Sequence, residues 1–280
     1  MAVAWADAFE PDRLGSAPSL DLPCRIDREW AFGGSTGAGV KVAVVDSGID
    51  ATHPRVGSVT GGVVVELDAD AESGFRYVEG RHDDVYGHGT ACAGIIRSLA
   101  PEVELYSVRV LGTTLKGSGV AFAAGLWWAI DNEMDVVNLS LSSSREDYWA
   151  MFGEAVDAAA ERRTVLVAAM NNERKLTIPS QFSSVLSVAC HPGADPEAFS
   201  CNPNPPAEWG APGMGVEVPW LDGGSITATG NSFAAPHIAG QVARLLGNHP
   251  RLTPWQVRTV LAALADNSPT GPPIGAQEEP

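Results

Sequence analysis

Val40-Lys41-Val42-Ala43-Val44-Val45-Asp46-Ser47-Gly48 is an apolar run that stops on an acid and a turn. Such a run is what a parallel strand covered on both faces requires. The same alternation continues along the chain. His88–Ser98 reads as a helix with small residues on one face, Val103–Val110 as a strand, and Gly117-Ser118-Gly119 opens a helix through Ile130. Asp135–Leu141, Thr164–Ala169 and Val185–Cys190 read as strands, and Asp147–Arg162 and Asn231–Gly247 as helices. Thr253-Pro254 begins a last helix, with an N-cap followed by proline at the first helical position. Between Asp46 and His88, Val63-Val64-Val65 and Phe75–Val78 flank an acidic bend and read as a hairpin or a pair of strands. The pattern predicts an α/β chain: three layers, α/β/α, around a mostly parallel central sheet.

Three short motifs sit at the ends of these elements: Val44-Val45-Asp46-Ser47-Gly48, Gly87-His88-Gly89-Thr90, and Gly230-Asn231-Ser232-Phe233-Ala234-Ala235-Pro236. They supply an aspartate, a histidine and a serine in that order. A serine hydroxyl is a poor nucleophile at neutral pH and needs a base within hydrogen-bond reach. The base needs a third group to fix its tautomer and stabilise its charged form. In parallel sheets, functional residues gather beyond the carboxyl ends of strands. Asp46 and Asn171 directly follow strands, and His88 and Ser232 open helices. Taken singly, Asp46 is a strand end and His88 and Ser232 are helix caps, since Asp and Ser are common in such places. Taken together they would be three coincidences.

The three motifs resemble those of subtilisin-like serine proteases (subtilases), over a span from about Gly39 to about Ala265. The resemblance implies a subtilisin-like fold and a serine endopeptidase in which Ser232 attacks the peptide carbonyl, His88 moves the proton and Asp46 holds His88. It also implies an asparagine opposite the serine's own N–H to hold the oxyanion. In Ala168-Ala169-Met170-Asn171-Asn172-Glu173, Asn171 is favoured and Asn172 is the alternative one register along. Met170 stands where the family has glycine, and would be strained if that position needed positive φ. Asn231 and Phe233 replace the usual threonine and methionine around the serine. An extended peptide would add a strand to two edges, Lys116–Gly119 and Leu139–Ser142. The substrate-contacting residues implied are Gly117, Ser118, Gly119, Ser140, Leu141 and Ser142, with Ser142 replacing a glycine. The segment from Asn171 to Pro179 is shorter than usual, and Ile178-Pro179 aligns with a cis peptide. His237 reads as a packed helical histidine. The helix after His88 runs on to Pro101 with no room for the calcium loop found in secreted relatives, so no metal or cofactor is expected.

The chain has 280 residues and a formal net charge of -16, with a pI near 4.6. That charge argues against nucleic acid or an anionic membrane as partner. It leaves a peptide or protein substrate, and says nothing of oligomeric state. Met1–Arg13 carries Asp7, Glu10 and Asp12 and shows no basic-then-apolar export signal, and no run reaches a membrane span, so a cytoplasmic protein is expected. Cys190 and Cys201 flank a Pro/Gly/Asp loop that brings a bridge within reach, while the missing export signal points to free thiols. Cys92, one turn after His88, reads as a core residue. Residues 1–38 are read as an N-terminal arm, 39–267 as the peptidase domain, and 268–280 as a disordered Pro/Gly-rich tail. A selective processing protease, for example one removing a leader peptide, is the expected role. A general degradative enzyme and an inactive peptide-binding relative are the alternatives. The esterase elbow Gly-x-Ser-x-Gly is absent around Ser232.

Overall fold

A computed structural model of the protein describes residues 3–17, 26–80 and 83–269. A short 3-10 turn at Ala6–Phe9 precedes helix α1 (Arg28–Phe32), capped by the Asp27 carboxylate accepting from the Trp30 N–H. Strand β1 (Lys41–Asp46) follows, then β2 (Gly61–Leu67) and β3 (Phe75–Glu79). Next come helix α2 (His88–Leu99), β4 (Glu104–Arg109), α3 (Gly119–Asp131), β5 (Val136–Leu139), α4 (Trp149–Glu161), β6 (Val165–Ala169) and β7 (Leu186–His191). The last third holds short strands β8 (Ser200–Cys201), β9 (Trp209–Pro212), β10 (Val216–Pro219) and β11 (Ser225–Ala228), then helices α5 (Asn231–Asn248) and α6 (Pro254–Leu264). Helix α6 starts as its sequence dictates: Thr253 and Gln256 form a reciprocal capping box and proline takes the first helical position.

The central sheet has nine strands in the order β3-β2-β4-β1-β5-β6-β7-β9-β8. Every pairing from β2 across to β9 is parallel, and the outermost strands β3 and β8 are antiparallel. Side chains alternate across a strand with period two. In β1, Val42 and Val44 enter the core beneath α1, α2, α5 and α6, while Ala43 and Val45 enter the core beneath α3 and α4. Helices therefore cover both faces, which makes the three layers. The pair β2/β3 is the hairpin expected from its sequence, with Val63 opposite Glu79 and Leu67 opposite Phe75. Strands β8 to β11 have two to four residues each, and no period announces them. From β1 the chain moves to one side, through β2, β3 and β4, before returning past β1 to β5. The carboxyl end of β1 is thus the point where the chain reverses direction across the sheet, where such folds build their sites. Among the described residues no helix is long and apolar enough to cross a membrane.

One cation staples the β1–α2 side of the molecule. Arg97 donates to the carbonyls of Val56, Ser58, Pro101 and Val103, at 2.7 to 2.9 Å. It thereby ties the loop after β1 to the loop after α2. Charge-assisted hydrogen bonds are the strong kind, and removing the donor strands four acceptors. Arg97→Ala is expected to destabilise by roughly 2–4 kcal/mol, read as a lower urea midpoint at constant slope. A change under about half a kcal/mol would mean that water replaces the guanidinium.

Two buried histidines weaken the fold as the pH falls. His191 ends β7, and His237 lies in α5 with its Nδ1 2.9 Å from the Phe233 carbonyl. Burial pushes both pKa values down to about 4, and for His237 the neighbouring His191 adds to the effect. Unfolded imidazoles take protons near pH 6.5, the folded ones only near 4. The unfolded chain therefore binds more protons in that window, so stability is complete above it and falls as pH drops. Each histidine contributes a slope of up to about 1.4 kcal/mol per pH unit. Urea unfolding at pH 7 and pH 5 checks this, and equal stabilities would contradict it.

Candidate active site

The parity that places Val42 and Val44 against α2 and α5 places Asp46 on the same side. Its carboxylate is completely buried. Such a charge is costly unless paired. Both its oxygens lie 2.9 Å from His88 Nδ1, and Oδ1 also accepts from the Ser47 N–H at 2.8 Å. His88 is the first residue of α2 and is 5% exposed. Burial lowers its pKa, but the charge and hydrogen bond of Asp46, with Asp84 behind, outweigh this and hold it above the ordinary value.

The start of α2 is fixed by a residue that no motif singled out. Asp84 Oδ1 accepts from the N–H groups of Tyr86 and Gly87 and from Ser47 Oγ. Its Oδ2 accepts from the N–H and Oγ of Thr90. One carboxylate thus caps the helix and ties it to the turn after Asp46. A signal was available, since an acid shortly before a helix is a common cap. Gly87 is at φ 108, and a side chain there would begin 2.6 Å from the Trp220 ring. Glycine is therefore required at this position for two independent reasons.

Ser232 is the second residue of α5. Four residues later stands Pro236, which has no N–H to return to the Ser232 carbonyl. That carbonyl instead accepts from Ser140 Oγ at 2.8 Å and from the Cys92 thiol at 3.6 Å. The proline inside the helix therefore locks the serine to the end of β5 and to the helix of His88. Phe233 packs its ring 5.3 Å from that of His88 and joins Ala91, Ile95 and Val218 in a small core. Phenylalanine at this position is thus accommodated by its surroundings. Asn231 is fully buried, with its amide accepting from the Cys190 N–H and donating to the carbonyls of Asn171 and Ala4.

The two asparagines after β6 part company. Asn171 turns its side-chain oxygen to the Glu173 N–H in its own loop. Asn172 Oδ1 accepts from the Asn231 N–H at 2.8 Å. Asn172 Nδ2 and Ser232 Oγ lie 3.4 and 3.3 Å from the point where a side chain on Gly230 would begin. The Asn172 amide therefore shares the space over Gly230 with Ser232 Oγ, and both asparagines line the adjoining pocket. Met170 is buried among Phe9, Ala189 and Ala207 and is not among the residues with positive φ, so the strain expected there does not arise.

Two hollows meet along one ridge. A pocket of about 310 Å³ opens beside Ser232, with Ser140, Leu141 and Ser142 on one wall and Met170 to Glu173 on the other. A neighbouring cleft of about 400 Å³ is lined by Gly117, Ser118 and Gly119 together with the same Ser140, Leu141 and Ser142. All six residues named from the sequence thus line one or both of these adjoining hollows, which share the wall Ser140 to Ser142. Ser143 and Ile178 exchange backbone hydrogen bonds at 2.9 Å, joining the segments behind the pocket, and Ile178-Pro179 is cis. Cys92, Cys190 and Cys201 are free and buried, and burial raises the pKa of each thiol. Cys24 lies outside the described residues. Among the described residues one group of candidate metal ligands comes together, Asp46, His88 and Cys92. Its aspartate and histidine already bind each other, and its thiol is held protonated.

A sequence profile described as the subtilase family matches residues 37–274. Subtilisin DY of Bacillus licheniformis is 32% identical over 84% of this chain and 86% of its own length. Subtilisin of Bacillus pumilus is 33% identical over 83% of this chain and 86% of its own. The crystal structure of a cold adapted subtilisin-like serine proteinase superposes with a TM-score of 0.65, at 23% identity, over 94% of this chain and 92% of that one. The fold is shared with that structure, and the chain belongs to the subtilase family, whose chemistry makes it a serine endopeptidase.

Proposed function

We propose that Ser232 is the nucleophile, His88 the general base and acid, and Asp46 the group that orients His88. The observation that carries this reading is the buried Asp46–His88 pair held beside the first turn of α5. His88 Nδ1–H donates to the carboxylate, which leaves Nε2 to take the serine proton. The serine oxygen then bonds to the substrate carbonyl carbon, and the proton passes to the leaving amine. Water repeats the sequence to release the acyl group. The oxyanion is held by the Ser232 N–H, free at the start of a helix, and by Asn172 Nδ2. Asn172 takes the place of Asn171 in this reading because its amide is the one beside Ser232.

A fluorophosphonate probe is expected to label the protein, and Ser232→Ala to abolish labelling. No labelling of the intact chain would favour an inactive peptide-binding relative. Asn172→Ala is expected to lower kcat by on the order of a hundredfold to a thousandfold, a scale established in subtilisin itself, with little change in KM. Asn171→Ala is expected to act mainly on KM, through the pocket wall. The reverse pattern would return the role to Asn171.

For the substrate, we read a selective processing protease, such as one trimming a leader from a ribosomally made peptide. The support is the pocket beside Ser232, where Ser142 replaces a glycine and Asn171 and Glu173 add polar groups. Such a wall discriminates by hydrogen bonding, which rejects poor matches more strongly than apolar fit does. Digestion of unfolded casein beside a defined peptide mixture tests this by mass spectrometry. Few cuts sharing one flanking residue are expected. Rapid cleavage at many unrelated sites would make it a general degradative enzyme.

A further inference from the structure

Residues 3–9 reach the back of the loop that carries Asn172. The Ala4 N–H donates to the Asn172 carbonyl at 3.1 Å. The Ala4 carbonyl accepts from Asn231 Nδ2 at 3.1 Å, and the same nitrogen donates to the Asn171 carbonyl at 3.2 Å. Asn231 Oδ1 accepts from Cys190 N–H of β7 at 2.9 Å. One fully buried amide, adjacent in sequence to Ser232, thus joins the N-terminal segment, the loop after β6 and the sheet. Its donor and acceptor groups are all engaged, so moving any partner strands a buried polar atom.

Side chains reinforce the backbone contacts. Asp7 pairs with Arg174 at 2.5 Å, and the Arg174 guanidinium lies 5.4 Å from the Trp5 ring centre. Phe9 is 3% exposed and lies over Gly210 of β9, where an added side chain would begin 2.4 Å from its ring. It packs with Met170, Ala189 and Ala207. These side-chain contacts fall on Met170 and Arg174, on β7 and β9, and on Ala207 in the loop before β9. The pocket beside Ser232 is bordered by Met170 to Glu173, while residues 3–9 are absent from its lining. The segment therefore braces the loop from behind without entering the groove.

We propose that residues 3–9 are an intramolecular activator, with Asn231 as the positioning residue through which they act. The docked segment sets the position of Asn172 against Ser232, and its release loosens the oxyanion site while leaving the opposite wall, Ser140 to Ser142, in place. This rests on the reading of Ser232 as nucleophile and Asn172 as oxyanion donor. Donors of this kind act only when held at the place where charge develops, and a shift of about 1 Å costs on the order of a hundredfold in rate. The effect belongs on kcat, because the oxyanion forms only in the transition state.

The test uses the full chain carrying Trp5→Ala, Asp7→Asn and Phe9→Ala, which removes the three side-chain anchors. Hydrogen exchange at the Ala4 amide reports release, and steady-state kinetics on a fluorogenic peptide report the consequence. The expected result is a released segment and a kcat lower by on the order of ten- to a hundredfold, with KM within about threefold. Release with kcat unchanged, or with KM alone affected, would overturn the proposal. Continued protection of Ala4 would overturn the anchoring. If the triple variant does not fold, the pair Trp5→Ala/Asp7→Asn, which leaves Phe9 in place, is read by the same two measurements. Failure of the underlying reading is separate, since it appears as absent probe labelling of Ser232 in the unmodified chain.

Discussion

A fully buried carboxylate is the constraint around which this molecule is organised. Asp46 ends a central strand paired on both sides, and its side chain is fully buried. An isolated charge there would cost several kcal/mol, and the chain offsets this with the His88 imidazole and the Ser47 N–H. Satisfying Asp46 requires α2 to begin within hydrogen-bond reach of β1. That requirement accounts for the second carboxylate, Asp84, which caps α2 and grips Ser47. It also accounts for the glycine at 87, which permits both the turn and the close Trp220 ring.

The serine side of the site follows a different physical logic. A proline in the first turns of α5 removes a hydrogen bond to the Ser232 carbonyl. The vacated acceptor is taken by Ser140, just past the end of β5, and by Cys92 of α2. A local defect in one helix thus becomes the joint between three elements. Beside it, Asn231 uses a buried amide to bind three separate backbone segments. The two departures from the family pattern around the serine, Asn231 and Phe233, are both built into their surroundings, one by hydrogen bonds and one by packing.

Much of this was legible in the chain itself. The continuous apolar strands, the small-residue helices and the Thr253-Pro254 start are local signals, because burial on both faces, close helix packing and capping each demand particular residues nearby. The order of Asp46, His88 and Ser232 is equally local, since each ends or begins an element. Other features left little trace. Strands β8 to β11 are too short for a period to declare itself: β9 and β8 extend one edge of the central sheet, and β10 and β11 pair only with each other. Asn171 and Asn172 are indistinguishable as letters, and the site's geometry separates them. The Met170 side chain looks out of place in a motif and is ordinary once Phe9 stands beside it.

The sequence by itself determined the three-layer class, the approximate elements and the residue types from which an acyl-transfer site is assembled. Those depend on the spacing of polar and apolar residues, which a chain carries wherever it goes. Tertiary structure decided which asparagine amide lies near Ser232, which acid holds α2, and where residues 3–9 dock. Each of these is a contact between segments distant in the chain, and Asn231 meets Ala4 across 227 positions. A hydrogen bond of that kind has a direction and a length set by packing, and neither is written in the order of the residues.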